Sequence, residues 1–242
     1  MVLPLMRDCM AMCECPALRK CLVRELGRIE YGQALALQQR IAEQRKQGMV
    51  ADHLLLLEHP HVITLGRNGR MENLLASGEI LARAGISFYP INRGGDVTYH
   101  GPGQLVGYPI MDLRQWRRDV GAYVRAVEQV IIDSLADYGI CAGRIPQLTG
   151  VWVDDRKIAA IGVHLSRWVT SHGFALNVST DLSYFHYIVP CGLTRPVTSM
   201  AALGVRAGLD EVGRGLAGHF GRIFDCEMLL DTPVPAASER EN

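Results

Sequence analysis

Positions 93–108 read Arg93-Gly94-Gly95-Asp96-Val97-Thr98-Tyr99-His100-Gly101-Pro102-Gly103-Gln104-Leu105-Val106-Gly107-Tyr108, with five glycines in sixteen residues. Glycine has no Cβ, so such a run bares backbone N–H groups and lets another molecule approach the main chain closely. Arg93 opens it with a fixed charge, and His100 sets a titratable imidazole just before Gly101-Pro102-Gly103. By its residues alone, the run is equally a glycine-rich β-hairpin that turns at Gly101-Pro102-Gly103.

On the N-terminal side, Leu22–Arg28 reads as a strand and Tyr31–Gln47 as a helix of strong helix formers closed by Gly48. His53–Glu58 and His61–Leu65 are short apolar strands divided by Pro60, and Ile86–Asn92 leads into the glycine run. Beyond it, Gln104–Met111 continues as strand. Asp119–Tyr138 is a helix striped by Val120, Tyr123, Val124, Val127, Ile131 and Leu135 and ended by Gly139. Val151–Val153, the turn Asp154-Asp155 and Lys157–Leu165 form a hairpin, and Gly173–Val178 is a further strand. Leu209, Val212, Leu216, Phe220 and Ile223 stripe a last helix before Cys226–Leu230. Helices and strands mix without regular βαβ alternation, which predicts an α+β fold with a mixed, largely antiparallel sheet flanked by helices. One domain is expected over residues 22–230, between a loosely ordered extension over 1–21 and a disordered tail from Asp231.

The chain has 242 residues, 48% of them hydrophobic and 21% charged, enough for a sizeable core. Its 25 basic and 25 acidic residues cancel, so no global field recruits nucleic acid or an anionic membrane. No apolar run reaches the roughly 18 residues of a membrane span, and Arg7, Asp8 and Glu14 break the N-terminus where a signal peptide would be continuous. A cytoplasmic setting follows. Cys9, Cys13, Cys15 and Cys21 lack the paired spacing of a zinc site, so no metal is expected.

Only three lysines occur among the basic residues: Lys20, Lys46 and Lys157. Arginine replaces lysine as a surface cation but not as an amine that must lose a proton. Lys157 starts a strand and, by simple alternation, shares a face with Ala159, Ile161 and Val163. There it is either a rim cation reaching water or a desolvated amine. Cys191 sits between Pro190 and Gly192, a rigid and uncrowded place to present sulfur. Most unpaired cysteines are small buried hydrophobes, the reading given to Cys141 and Cys226, and for Cys191 both readings stand. The opposite face of the Lys157 strand carries Ala160, Gly162 and His164, and the next strand presents Gly173, Ala175 and Asn177. Such small residues either let a helix pack closely or leave a narrow trough for an unbranched alkyl chain. His100, His164 and His172 read as structural first, with His100 and His172 the better functional candidates.

The run from Arg93 to Tyr108 closely resembles the signature of the octanoyltransferases of lipoate biosynthesis: Arg-Gly-Gly, two residues, Thr, aromatic, His, then Gly-Gln and Tyr. The resemblance extends from about Gly27 to about Phe224. It implies the fold shared with biotin and lipoate protein ligases. It further implies Cys191 as the acyl-accepting nucleophile and Lys157 as its basic partner. Arg93, Gly94, Gly95, Asp96, Val97, Thr98, Tyr99 and His100 would contact the acyl substrate, together with Ala160, Ile161, Gly162, Gly173, Phe174 and Ala175. His164, His172 and Asn177 would support the site. The implied donor is octanoyl–acyl carrier protein. The implied acceptors are lipoyl domains of 2-oxoacid dehydrogenase complexes and the glycine cleavage H protein. No cofactor and no ATP would be needed. Backbone N–H groups near Gly162 or Cys191 are candidates to hold the oxyanion. An ATP-dependent ligase, a thioesterase using the same pair, and a non-catalytic carrier-binding module are the rival readings.

Overall fold

The apolar stripe that marks the longest helix also fixes which way it faces. In the computed structural model, which describes residues 18–189 and 195–231, Asp119 caps this helix by accepting a hydrogen bond from the Ala122 N–H at 2.8 Å. Helix α3 (Val120–Ala136) buries Tyr123, Val127, Ile131 and Leu135; only Val120, in the first turn, leaves the predicted stripe and is exposed. Helix α4 (Leu209–Phe224) packs beside it and buries Val212, Leu216, Phe220 and Phe224. Helix α1 (Tyr31–Lys46) buries Ala34, Ile41 and Ala42 in a separate cluster, and the short α2 (Gly78–Arg83) buries Leu81 in a third.

Between these helices lies a sheet of eight strands. In chain order they are β1 (Arg19–Arg28), β2 (Asp52–Glu58), β6 (Gln104–Ile110), β7 (Gly143–Ile145), β8 (Leu148–Val153), β9 (Arg156–Ser166), β10 (Val169–Asn177) and β11 (Cys226–Leu230). Their spatial order is β11-β1-β2-β6-β10-β9-β8-β7. β1 runs parallel to both β2 and β11, and the remaining pairs are antiparallel. Alternation sorts side chains to two faces. Leu54, Leu56, Leu105, Phe174 and Leu176 pack into the cluster of α3 and α4, whereas Leu55, Leu57, Val106, Tyr108 and Ala175 pack with α1. Burial on both faces explains the uninterrupted leucines of β2. A second sheet, β3 (Val62–Leu65), β4 (Ser87–Pro90) and β5 (Val97–His100), has β3 at its centre. This α+β architecture with a mixed, mostly antiparallel sheet is the one expected. No helix among the described residues is long and apolar enough to cross a membrane.

Several local expectations change. β5 and β6 belong to different sheets, so Gly101-Pro102-Gly103 is not a hairpin turn but carries the chain from one sheet to the other. Arg19 to Cys21, assigned to the extension, are the first residues of β1, and Cys21 is fully buried. Cys226 is buried as expected, but Cys141 is exposed. Asp231, assigned to the tail, donates its N–H to Val23 O and pairs with Arg24 at 2.9 Å. The rest of the extension, over 1–17, and of the tail, over 232–242, lies outside the described residues, as do Pro190, Cys191 and Gly192.

Candidate active site

The glycine run is held down from both ends. Arg93 is buried; its Nη2 donates to Thr64 O and Oγ1, both at 2.9 Å, and its Nη1 to Gly94 O at 3.0 Å. The Gly94 N–H donates to Val163 O in β9 at 2.8 Å, pinning the run across the large sheet. At Gly162, directly beneath, a Cβ would come within 2.8 Å of Gly94 O. Asp96 organises the other side, accepting from the N–H groups of Val97 (2.7 Å) and Arg70 (3.0 Å) and from the Asn73 side chain. Gly95, at φ +85°, takes the left-handed turn that this crossing requires.

A narrow trough opens between this run, β9, β10 and the start of α1. Every substrate-contacting residue expected from the sequence lines it except Gly94, Val97 and Tyr99. Val97 and Tyr99 pack instead into the small-sheet core, where the Tyr99 hydroxyl meets His61 Nδ1 at 2.7 Å. Gly173 lines the trough but does not widen it: a Cβ there would overlap the Gly107 carbonyl of β6, so the glycine serves strand packing. His164 borders a separate cavity on the far side of His172. Tyr31 and Tyr108 complete the trough wall, and neither was assigned from the sequence. Tyr108 closes the quoted signature, and Tyr31 opens a predicted helix; their partnership comes from three-dimensional packing.

Three imidazoles surround the closed part. His59 is fully buried, with Nδ1 2.8 Å from Ile29 O and Nε2 2.8 Å from the Tyr108 hydroxyl. The carbonyl can only accept, so Nδ1 carries the proton and the tyrosine donates to Nε2. His100 Nδ1 lies 2.8 Å from Gln104 Oε1, and His172 Nε2 2.9 Å from Asn92 Oδ1. Burial away from water pushes the pKa of His59 and His172 down to about 4 and that of His100 to about 3. All three are neutral at pH 7. Burial likewise raises the Tyr31 phenol.

From His100 a chain of hydrogen bonds leaves the trough. Gln104 Nε2 donates to Asn177 Oδ1 (2.9 Å), Asn177 Nδ2 to Thr198 O (2.9 Å), and the Thr198 N–H to Lys157 O (2.9 Å). Asn177 thus supports the site as a brace. The Lys157 N–H in turn donates to Pro196 O at 2.9 Å. On the other side of positions 190–194, the Val189 N–H donates to Asn73 O at 2.8 Å, and Asn73 also binds Asp96. Both described flanks of that segment are therefore tied to the site.

Lys157 itself is buried and does not lie on the face that alternation predicts. Trp152 pairs with Lys157 but Val151 pairs with Ala159, so β9 holds one extra residue, Ile158. Such a bulge reverses the phase of alternation. Ile158 and Ala159 both enter the α3–α4 core with Val151 and Val153, leaving Trp152 and Lys157 on the opposite face with Ala160 and Gly162. The Lys157 Nζ lies 4.8 Å from the centre of the Trp152 ring, a cation–π contact. The rim reading therefore fails, and the amine sits on the trough side of the sheet.

Residues 30–221 match the model of the lipoyl protein ligase A/B catalytic domain. An octanoyltransferase of Solibacter usitatus is 76% identical over 220 residues, spanning 91% of this chain and all of the relative. The chain belongs to the octanoyltransferase family. An octanoyltransferase of Koribacter versatilis is 53% identical, spanning 86% of this chain and 85% of its own. The fold matches that of a bipartite lipoate protein ligase from Thermoplasma acidophilum, solved as part of a study with its E2 lipoyl domain. The TM-score is 0.71 at 18% identity, over 89% of this chain and 87% of the other. As an octanoyltransferase, the protein is an acyltransferase that moves octanoyl groups in protein lipoylation.

Proposed function

We propose that the protein takes an octanoyl group from octanoyl–acyl carrier protein onto Cys191 and passes it to a lysine of a lipoyl domain. The observation that carries this reading is the bulge at Ile158, which brings Lys157 to the trough face while Pro196 and Thr198 hold its backbone beside the chain that follows Cys191. A buried amine on that face suits a base for the thiol. The Cys191 thiolate attacks the thioester carbonyl, the carbon–sulfur bond to the carrier breaks, and the carrier thiolate leaves and takes up the proton. The lysine amine of the lipoyl domain then attacks the octanoyl–cysteine, an amide bond forms, and Cys191 leaves as thiolate while Lys157 accepts the amine's proton. One thioester replaces another before an amide forms, so the sequence runs downhill without ATP. The trough takes the acyl chain along Ala160, Ile161, Phe174 and Ala175, and the neutral histidines add no charge to it. The acceptors implied by the family are the lipoyl domains of 2-oxoacid dehydrogenases and the glycine cleavage H protein.

Intact mass after mixing with octanoyl–acyl carrier protein tests this. One octanoyl group should load on Cys191, labile to hydroxylamine, and Cys191→Ser should carry none. Lys157→Ala should slow transfer by about 10²-fold or more, the scale of a lost general base. Lys157→Arg keeps the charge but cannot accept a proton at working pH, so octanoyl–enzyme should accumulate. An adduct on the exposed Cys141, full turnover by Lys157→Arg, or a requirement for ATP would each overturn the reading.

A further inference from the structure

The trough has a far wall, and a second space lies behind it. Counted along β10 from Ala175, which faces Ala160 across the ladder, the chain passes Gly173 opposite Gly162 and reaches His172 after three residues. At about 3.3 Å per residue this is roughly 10 Å, the scale of a medium-length acyl chain. An acyl chain that enters from the Lys157 end therefore passes Ala160 and Ala175 first and meets His172 last. The His172 ring stands edge-on to Tyr108, a trough residue, with centres 6.5 Å apart. Its Nε2 reaches Asn92, which lines a cavity of about 230 Å³ between α1 and the β9–β10 hairpin. Leu35, Ala42 and Val169 line the same cavity beside polar Gln38, Lys46 and Ser171, and it opens to water at Glu43; His172 borders both spaces.

The backbone at His172 is shaped for this place. Its φ is +56°, in the left-handed region that side chains with a Cβ rarely adopt. Two polar contacts hold it there: its N–H donates to Gln38 Oε1 at 2.9 Å, and its ring is tied to Asn92. A buried non-glycine residue kept in a disfavoured conformation marks a position over-determined by its surroundings.

We propose that His172 is the end wall that sets acyl chain length, dividing the trough from a reserve cavity that longer chains would otherwise occupy. The proposal rests on the acyl-transfer reading of the trough. Glycine suits φ +56° better than histidine, so His172→Gly removes the wall without opposing the backbone. It also keeps the N–H that donates to Gln38.

The test measures acyl loading from octanoyl-, decanoyl- and dodecanoyl–acyl carrier protein by intact mass. Binding of free octanoate and dodecanoate is measured in parallel by calorimetry. In the parent protein octanoyl should load fastest. His172→Gly should raise the dodecanoyl-to-octanoyl ratio by at least about tenfold, since the added methylenes can then pass beside Leu35 and Ala42, and should gain dodecanoate binding. His172→Asn, with a shorter side chain that tolerates the same backbone region, should shift the ratio the same way by less, and it decides the matter if the glycine variant does not fold. An unchanged ratio in a folded variant, or equal loss at every length, overturns the proposal. If the parent loads no acyl group yet binds octanoate, the transfer reading falls, and the gain of dodecanoate binding alone decides whether His172 is the wall. If it neither loads nor binds, both fall.

Discussion

The two faces of the large sheet use the same strands for opposite purposes. Toward α3 and α4, the alternating residues of β2, β6, β9 and β10 are Leu54, Leu56, Leu105, Ala159, Phe174 and Leu176, and they enter the hydrophobic cluster, with Glu128 and Ser134 of α3 the polar residues buried on that helix. Toward α1, the same strands present Tyr108, Ala175 and Gly162 beside buried Arg93, His59, His100, Lys157 and His172. Burial on the first face is a direct source of stability. On the second face it costs free energy for each polar group and is tolerated because nearly every one is hydrogen-bonded. What that burial provides is a trough flanked by imidazoles that stay uncharged. Stability and chemistry are thus separated by one strand's thickness.

The largest break in this contrast should come from the apolar face. Phe220 is fully buried and its ring lies 4.4 Å from that of Phe224. Phe220→Ala should lower unfolding free energy by about 3–5 kcal/mol, read from denaturant midpoints, while acyl transfer per folded molecule at low temperature stays near the parent's. A parallel loss of transfer rate in the folded fraction would mean that the two faces are not separable.

The polar face should respond to acid instead. His59, His100 and His172 hold pKa values of about 4, 3 and 4 when folded and near 6.5 when unfolded. Between those values the unfolded chain binds protons that the folded chain refuses. The stability they permit is therefore full above pH 6.5 and lost as pH falls toward 4 and then 3. From pH 6.5 to 5 the loss should be up to about 2 kcal/mol for each histidine. Urea unfolding at pH 7.5 and pH 5 measures it, and a flat profile would show that water already reaches these rings.

A smaller effect should follow at the edge of the apolar face. Asp119→Ala removes the cap on the Ala122 N–H and should weaken the start of α3, seen as a modest drop in melting temperature with unchanged acyl loading. A drop as large as that of Phe220→Ala would mean that Asp119 does more than cap.

Much of this molecule was legible without coordinates where the signal was local. The stripe of α3, with Asp119 before it and Gly139 after it, depends on residues within one helical turn of each other. The Asp154-Asp155 hairpin and the short apolar run of β2 are similarly short-range. The site residues came mainly from the long signature and from the family resemblance it carries. Alternation along the Lys157 strand, applied on its own, put the lysine on the wrong face, because a bulge is a property of a strand pair and leaves no mark in one strand's composition. The choice left open at Gly173, close packing or open space, was likewise decided at a distance, since a Cβ there would meet the backbone of β6, more than sixty residues earlier in the chain.

The amino-acid order by itself thus determined the three long helices, most strands, the mixed architecture and the family, because these depend on periodicity, capping and residue identity over short spans, whereas the six-residue helix Gly78–Arg83 was not read. Only the tertiary structure decided that the Gly-Pro-Gly segment joins two sheets, that Tyr31, His59 and Tyr108 meet at the trough, and that His172 stands at its end. Those outcomes depend on which distant backbones come within hydrogen-bonding distance. Register, sheet order and the burial of polar groups settle that together, once the whole chain has packed.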